Sequence, residues 1–443
     1  MSGMLVGGIM FSILLLLLVV RVPIGIAMFM VGVGGYLTML DGAWLPLLNS
    51  LKNLAYARLS NYDLSVIPVF LLMGQFATHG GLSRALFRCV NAFMGHLRGG
   101  VAMAAVGACA GFGAICGSSL ATAATMGQVA LPELRRYNYS GALATGALAA
   151  GGTLGIMIPP SIPLVIYAVL TQESIGKLFM AAVLPGIIAM LGYMLVIRIV
   201  VLLDPQAGPA GPRVPWSEKI RALLKVLPVS VVFVVVIVGI YGGWANPTEA
   251  ASIGAAACGI LAVANGGMRL PGVIASIHGT AQATAMIYLV LLGADMLNTA
   301  LALTQMPVEL AEMVKGSGLS PLLVLGAILL IYIFLGCVMD ALAMILLTIP
   351  IFYPIVMGLD FWGMPPVDKS IWFGILALMV VEIGLVHPPV GMNVYIINSL
   401  ARDVPLTETF KGVIPFLLSD FLRIILLVFF PVISLYLVHT FGA

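Results

Sequence analysis

The sequence has very little charge. Asp, Glu, Lys and Arg make up only 8% of its 443 residues, against roughly 25% in an ordinary soluble domain. Apolar residues reach 61% and the mean hydropathy is +1.15, so a soluble fold is excluded and the surface must face membrane lipid. The formal net charge of +3, with no basic run interleaved with aromatics, excludes nucleic acid as a partner. Cysteine is scarce and has no metal-binding spacing. Cys89, Cys109, Cys116, Cys258 and Cys337 lie scattered among apolar residues without a CxxC pair. They read as small packing residues, not as a transition-metal or redox centre. GxSxG, HExxH and paired-aspartate motifs are missing as well, which removes the nucleophile, base and metal of a membrane-embedded hydrolase. An enzyme is not expected. No basic region precedes the first apolar stretch, Met4 to Val20, so it reads as a span and not as a removable leader.

What the chain does have is apolar length. A crossing helix needs about 20 apolar residues, and ten crossings can be placed: 4–20, 23–40, 65–79, 141–170, 176–203, 226–243, 248–266, 281–303, 370–399 and 412–438. The third is short. Two further stretches, 101–132 and 319–354, are too long for one span and are interrupted at Gly113 to Ser119 and at Gly336 to Asp340. Both read as re-entrant hairpins, because non-helical backbone at membrane depth is tolerated where it is buried in protein or lines a cavity. The segments 80–98 and 304–317 ahead of them read as interfacial helices. The fold class is therefore an all-α polytopic membrane protein with about ten spans and two re-entrant hairpins.

Basic residues set the orientation. With both termini periplasmic, 15 of the 20 Lys and Arg fall on the cytoplasmic side, leaving Lys52, Arg58, Lys177, Lys315 and Lys369 outside. The Pro-rich stretch 204–225 is then a cytoplasmic connector that divides residues 1–203 from 226–443.

The two parts resemble each other. Gly155-Ile-Met-Ile-Pro-Pro-Ser-Ile-Pro-Leu-Val-Ile-Tyr167 lies against Gly384-Leu-Val-His-Pro-Pro-Val-Gly-Met-Asn-Val-Tyr395. Ser118 and Pro132 lie against Asp340 and Pro354 at a constant offset of 222, with Gly113 one residue short of facing Gly336. Five crossings and one hairpin per part is an odd number of crossings, so the second part sits upside down relative to the first. Inverted repeats are the mark of a secondary transporter whose site lies at the midplane.

Proline removes a backbone donor and clashes with the preceding turn, so Pro159-Pro160 and Pro388-Pro389 each open a crossing. The freed carbonyls can coordinate a cation and the new helix N-termini can attract an anion. An ordinary kink is the plainer reading of either pair alone; two pairs at matching positions favour a site. The tip Cys116-Gly-Ser-Ser-Leu-Ala-Thr-Ala-Ala-Thr125 offers hydroxyl oxygens, the ligands hard cations prefer, or a small-residue packing face. Asp340 is a carboxylate at membrane depth, hence a functional candidate, or a cap on its own hairpin. Glu382 either joins the site or ties helices together. Asp295 and Glu249 read as structural. Asn393 carries both a donor and an acceptor on the second half of a broken helix. Ser119, Thr122 and Asn393 are the candidate substrate contacts.

Gly113-Ala-Ile-Cys-Gly-Ser-Ser-Leu-Ala-Thr-Ala-Ala124, Ile158-Pro-Pro-Ser-Ile-Pro163, Gly242-Gly-Trp-Ala-Asn-Pro-Thr-Glu-Ala-Ala251 and His387-Pro-Pro-Val-Gly-Met-Asn-Val-Tyr395 together resemble the large membrane subunit of TRAP (tripartite ATP-independent periplasmic) transporters, from about Arg21 onward. The resemblance implies Na⁺-driven uptake of a small organic anion across a bacterial inner membrane by an elevator movement. It also implies two partners, a periplasmic substrate-binding protein and a small four-helix membrane subunit. Only Met1 to Gly3 precede the first span, so the small subunit is expected as a separate chain. No cofactor is expected beyond Na⁺ as the coupling ion.

Carried over by motif, one Na⁺ site would use Ser118, Ser119, Gly155, Ile158 and Pro160. The other would use Gly336, Asp340, Gly384, His387 and Val390, largely through backbone oxygens. His387 stands where this family commonly has threonine, which leaves its carbonyl and not a hydroxyl as the Na⁺ contact. His387, Asp340 and Glu382 also keep proton coupling open. A stand-alone Na⁺/dicarboxylate symporter or antiporter of similar inverted-repeat design is the alternative.

Overall fold

A computed structural model describes residues 2–337 and 339–442, and these form helices and connecting turns with no strand among them. A chain this apolar must satisfy its backbone groups internally, and the helix does so within each segment. α1 (Gly3–Val19) and α2 (Ile24–Met39) fall on the first two expected crossings, followed by α3 (Trp44–Leu59), a helix the hydropathy pattern alone does not pick out. A short 3₁₀ turn at Asp63–Ser65 leads into α4 (Val66–His79), and α5 (Leu82–Met94) leaves that direction by 66°. α6 (Gly100–Cys116) and α7 (Ser119–Arg136) are the arms of the first hairpin, broken at Gly117 in the left-handed conformation (φ 64°). α8 (Gly141–Met157) and α9 (Ile162–Thr171) form the first broken crossing, bent by 41°. α10 (Ile175–Leu203) closes the first part.

Residues 204–215 are irregular and are held by backbone bonds from Gly99 N to Gly208 O (2.9 Å) and from Gly211 N to Gly95 O (2.8 Å). α11 (Trp216–Tyr241) begins inside the stretch read as the connector, so Lys219, Arg221 and Lys225 are helical. α12 (Pro247–Ala264) starts with a reciprocal Asn246–Glu249 capping box, which gives Glu249 its structural role. α13 (Leu270–Thr304) and α14 (Met306–Gly316) precede the second hairpin, α15 (Pro321–Gly336) and α16 (Ala341–Met357). Val338, inside the break expected between Gly336 and Asp340, lies outside the described residues. α17 (Pro366–Gly384) and α18 (Met392–Leu400) form the second broken crossing. The expected last crossing, 412–438, is instead two helices, α19 (Leu406–Phe429) and α20 (Val432–Phe441), interrupted at Phe430-Pro431 because proline cannot continue the ladder.

α8 and α17 lie at the centre, with residues 143–157 and 369–384 buried throughout. Glycines let neighbours approach α8 and α13. A Cβ on Gly412 would fall 1.9 Å from Ala142 O, and one on Gly293 would fall 2.2 Å from Gly25 O, so α8–α19 and α2–α13 pack backbone against backbone. Asp295 of α13 is paired with Arg58 of α3. That contact confirms Asp295 as structural and supplies the partner its own span lacks.

Candidate functional site

Each break has a local cause. Proline bars the helical conformation in the residue before it, and Ile158, ahead of Pro159, is extended at φ −98° and ψ 122°. Both Pro-Pro bonds are cis. The first break is sealed, with Pro159, Pro160 and Ser161 buried. The second is more open, with His387 and Pro388 half-buried and Pro389 exposed.

The hairpins seat on these breaks by the same device. A Cβ on Gly113 would lie 2.4 Å from Gly155 Cα, and one on Gly384 would lie 2.4 Å from Gly336 Cα. Gly113 and Gly336 therefore do equivalent work, although Gly113 is one residue out of register in the sequence. Around the first seat, a Cβ on Gly155 would meet Thr122 Oγ1 at 2.5 Å and Ser118 O at 2.7 Å, and one on Gly117 would meet Pro160 O at 3.3 Å. Ser118, Thr122, Gly155 and Pro160 are thus together. Ile158 sends its side chain towards Gly186 of α10 instead. At the second seat, Cys337 Sγ lies 3.7 Å from both His387 O and His387 Nδ1 and 3.6 Å from Pro388 O. Val390 is half-buried beside that break.

Ser118 and Asp340 are both N-caps, accepting from Ala121 N (3.4 Å) and Leu342 N (3.3 Å). The capping reading of Asp340 is therefore correct. It does not exhaust the residue: Ser118, Ser119, Asp340 and Leu385 also line one cavity of about 130 Å³, which Ala283, Met286 and Ile287 of α13 line as well. Both tips thus face a single space.

Ser119 donates to Glu382 Oε2 at 2.7 Å, so Glu382 ties α17 to the first tip. Its Oε1 has no hydrogen-bond partner among the described residues, and neither do Thr122 Oγ1, Ser161 Oγ or Asn393 Oδ1, all buried. Asn393 Nδ2 donates to Ala149 O at 3.3 Å. These are hard oxygens with spare lone pairs, suited to an alkali cation or to a donor group on a ligand. Ser161 was not among the expected contacts.

A second buried group lies behind the first. Arg423, counted by sequence among the cytoplasmic basic residues, is buried on α19 with its Nη2 2.9 Å from Asp420 Oδ1. The N–H groups of Arg423 are not directed along that contact, so this is an ion pair without a formed hydrogen bond. Tyr193 OH donates to Asp420 Oδ2 (2.9 Å) and lies 3.1 Å from Thr153 Oγ1, which itself donates to Ala150 O (2.6 Å). The readable signal was two opposite charges three residues apart inside an apolar span.

An all-helical polytopic chain whose two hairpin tips line one cavity together with residues flanking both helix breaks has the layout of a membrane permease. Comparison identifies which kind: residues 11–433 match the family described as tripartite ATP-independent periplasmic transporter, DctM component. The chain belongs to that family and is a TRAP transporter large permease. It is 36% identical over 415 residues to the C4-dicarboxylate TRAP transporter large permease protein DctM of Pseudomonas aeruginosa, covering 93% of this chain and 94% of the relative. It is 29% identical to the sialic acid TRAP transporter large permease protein SiaM of Vibrio cholerae, covering 86% of this chain and 88% of the relative. Among solved structures, the Alcanivorax borkumensis YdaH transporter shares the fold at a TM-score of 0.56 and 15% identity, over 88% of this chain and 89% of that one.

Proposed function

We propose that this permease carries out Na⁺-coupled uptake of a small organic anion, with a carboxylate as its substrate. Delivery is by a periplasmic binding protein, and a separate small four-helix membrane subunit completes the assembly in the bacterial inner membrane, with both termini periplasmic. The convergence of both tips on the cavity of about 130 Å³ is the observation that carries this reading. Residues 1–203 and 226–443 act as inverted repeats joined by 204–225, so the cavity sits at their meeting point.

One Na⁺ is held by the first tip and break (Ser118, Ser119, Gly155, Ile158, Pro160), the other by Gly336, Asp340, Gly384, His387 and Val390. Ser119, Thr122 and Asn393 contact the substrate. The first residues of two helices, Ser119 and Ala341, line the cavity, where the partial positive charge of a helix N-terminus favours a carboxylate. A Na⁺ bound across a tip and its break holds the two together, which couples ion binding to a closed cavity. The hairpins and broken helices then move as one unit, elevator fashion, past the elements that include α13.

The 36% identity to a C4-dicarboxylate permease makes succinate the first probe. Proteoliposomes holding this chain and its small membrane subunit, supplied with the cognate binding protein and radiolabelled succinate or N-acetylneuraminate, should accumulate label only under an inward Na⁺ gradient. Full-rate uptake by this chain alone would favour the stand-alone symporter or antiporter. Undiminished uptake with choline in place of Na⁺ would remove Na⁺ coupling.

A further inference from the structure

Away from the transport cavity, α5, the end of α7 and the first turns of α11 enclose a second cavity of about 700 Å³. Five basic side chains line it, Arg84, Arg88, Arg136, Arg221 and Lys225, against two carboxylates, Glu133 and Glu218. Among the described residues only Arg136 has a carboxylate within ion-pair distance, Glu133 at 3.7 Å. Arg84, Arg88, Arg221 and Lys225 thus outnumber Glu218, the one lining carboxylate not already paired, and present a net positive, solvent-accessible concave surface to an incoming anion.

This basic cavity is continuous with an apolar one. A neighbouring groove of about 470 Å³ shares Gly81, Arg84, Ala85 and Lys225 with it and runs on between Phe76, Leu224, Val229 and Leu261. The groove belongs to the lipid-facing side, since Leu223, Leu227 and Val231 of α11 and Ile260 of α12 beside it are exposed and apolar. Trp216, also exposed, stacks under Lys219 (4.9 Å to the ring) at the start of α11, the pairing of aromatic and cation typical of a membrane–water boundary. A space with one strongly basic end at that boundary and one apolar end along the hydrocarbon has the polarity of a phospholipid. A soluble dicarboxylate would satisfy the first half only.

We propose that this composite cavity binds one anionic phospholipid, its phosphate among Arg84, Arg88, Arg221 and Lys225 and an acyl chain along the Phe76–Leu261 groove. Basic pockets between membrane helices are where anionic head groups are recognised. The lipid would bridge α5, which leads into the first hairpin, to α11.

The test is native mass spectrometry of the full-length chain titrated with phosphatidylglycerol and, separately, with phosphatidylethanolamine. One phosphatidylglycerol should bind in preference to phosphatidylethanolamine, and R88Q/R221Q should weaken it about thirtyfold, at roughly one surface-charge contribution per arginine removed. Equal binding of the two lipids by wild-type protein overturns the proposal, whether or not the double variant can be purified. Competition by millimolar inorganic phosphate, succinate or the deacylated head group glycerophosphoglycerol as effective as by the intact lipid would make this a soluble-anion site and overturn it too. Release of the lipid on adding the small membrane subunit would assign the groove to that protein instead.

Discussion

Ser119 and Glu382 stand 263 residues apart in the chain, yet the serine hydroxyl donates to Oε2 of the glutamate at 2.7 Å with both residues buried. The first tip is thereby fastened to the helix that carries the second break. Removing the hydroxyl in Ser119→Ala leaves the carboxyl group without a hydrogen-bond partner among the described residues, at a cost of about 1–3 kcal/mol for an unsatisfied buried group. Ser119→Ala should lower the midpoint of thermal unfolding in detergent and impair Na⁺-dependent uptake, with membrane insertion retained. Glu382→Gln keeps an acceptor for Ser119 and should unfold closer to wild type than Glu382→Ala does. An order of unfolding midpoints with alanine above glutamine would contradict this.

Asp340 holds two roles that one substitution separates. Asn is as good an N-cap as Asp, so Asp340→Asn preserves the contact with Leu342 N and removes the negative charge from the cavity. Asp340→Ala loses both and should cost a further ~1 kcal/mol in stability. Uptake should fall in both variants, while only the alanine variant loses thermal stability. Unchanged Na⁺ dependence in Asp340→Asn would show that the carboxylate is a cap and nothing more.

Asn393 and Thr122 each keep one buried oxygen without a hydrogen-bond partner among the described residues. Thr122→Val holds the shape and deletes the oxygen, and Asn393→Ala deletes oxygen and donor alike. Both variants should insert normally and transport poorly. If Thr122 serves substrate, its loss appears as a raised KM at saturating Na⁺; a shift confined to the Na⁺ concentration for half-maximal uptake would move Thr122 into the ion site.

The seats of the two hairpins predict a matched pair of effects. A methyl group on Gly113 or on Gly384 has backbone atoms within 2.4 Å, where no side chain can turn aside. Gly113→Ala and Gly384→Ala should each cost about 1–3 kcal/mol by overpacking and abolish uptake. Gly34→Ala, with nothing within 4 Å, should do neither. Parallel uptake assays and thermal melts of the three variants provide the check.

Most of this architecture was legible in the sequence because hydropathy and proline act locally. The expected crossings fall on helices, the last of them on two, α19 and α20, and both Pro-Pro pairs interrupt helices where the rule on residues before proline says they must. Local rules fail where a partner is distant. Lys52, Asn53 and Arg58 lower the hydropathy of α3 below that of a span, and the Asp295 that pairs with Arg58 lies 237 residues further on. Gly113 stands one residue out of register with Gly336 in the sequence, which weakens it as support for the repeat, and its contact with Gly155 shows only in the fold. Counting basic residues by side places Arg423 with the cytoplasmic ones, whereas the fold buries it on α19 beside Asp420.

Arg423 and Asp420 are also where the largest stability effects should be found. Both side chains are almost wholly buried, at 2% and 1% exposure, and breaking a buried ion pair from one side costs about 3–5 kcal/mol because the other charge is stranded. Asp420→Ala and Arg423→Ala should each be severely destabilised, and Asp420→Ala more so, since it also strips Tyr193 OH of its acceptor. Replacing both charges at once strands neither, so Asp420→Leu/Arg423→Met should melt closer to wild type than either single alanine variant. If that double variant is stable but transports poorly, the pair acts in transport; if it transports normally, the pair only supports the packing of α19 against α10. Uptake by the double variant is the measurement that decides between these outcomes.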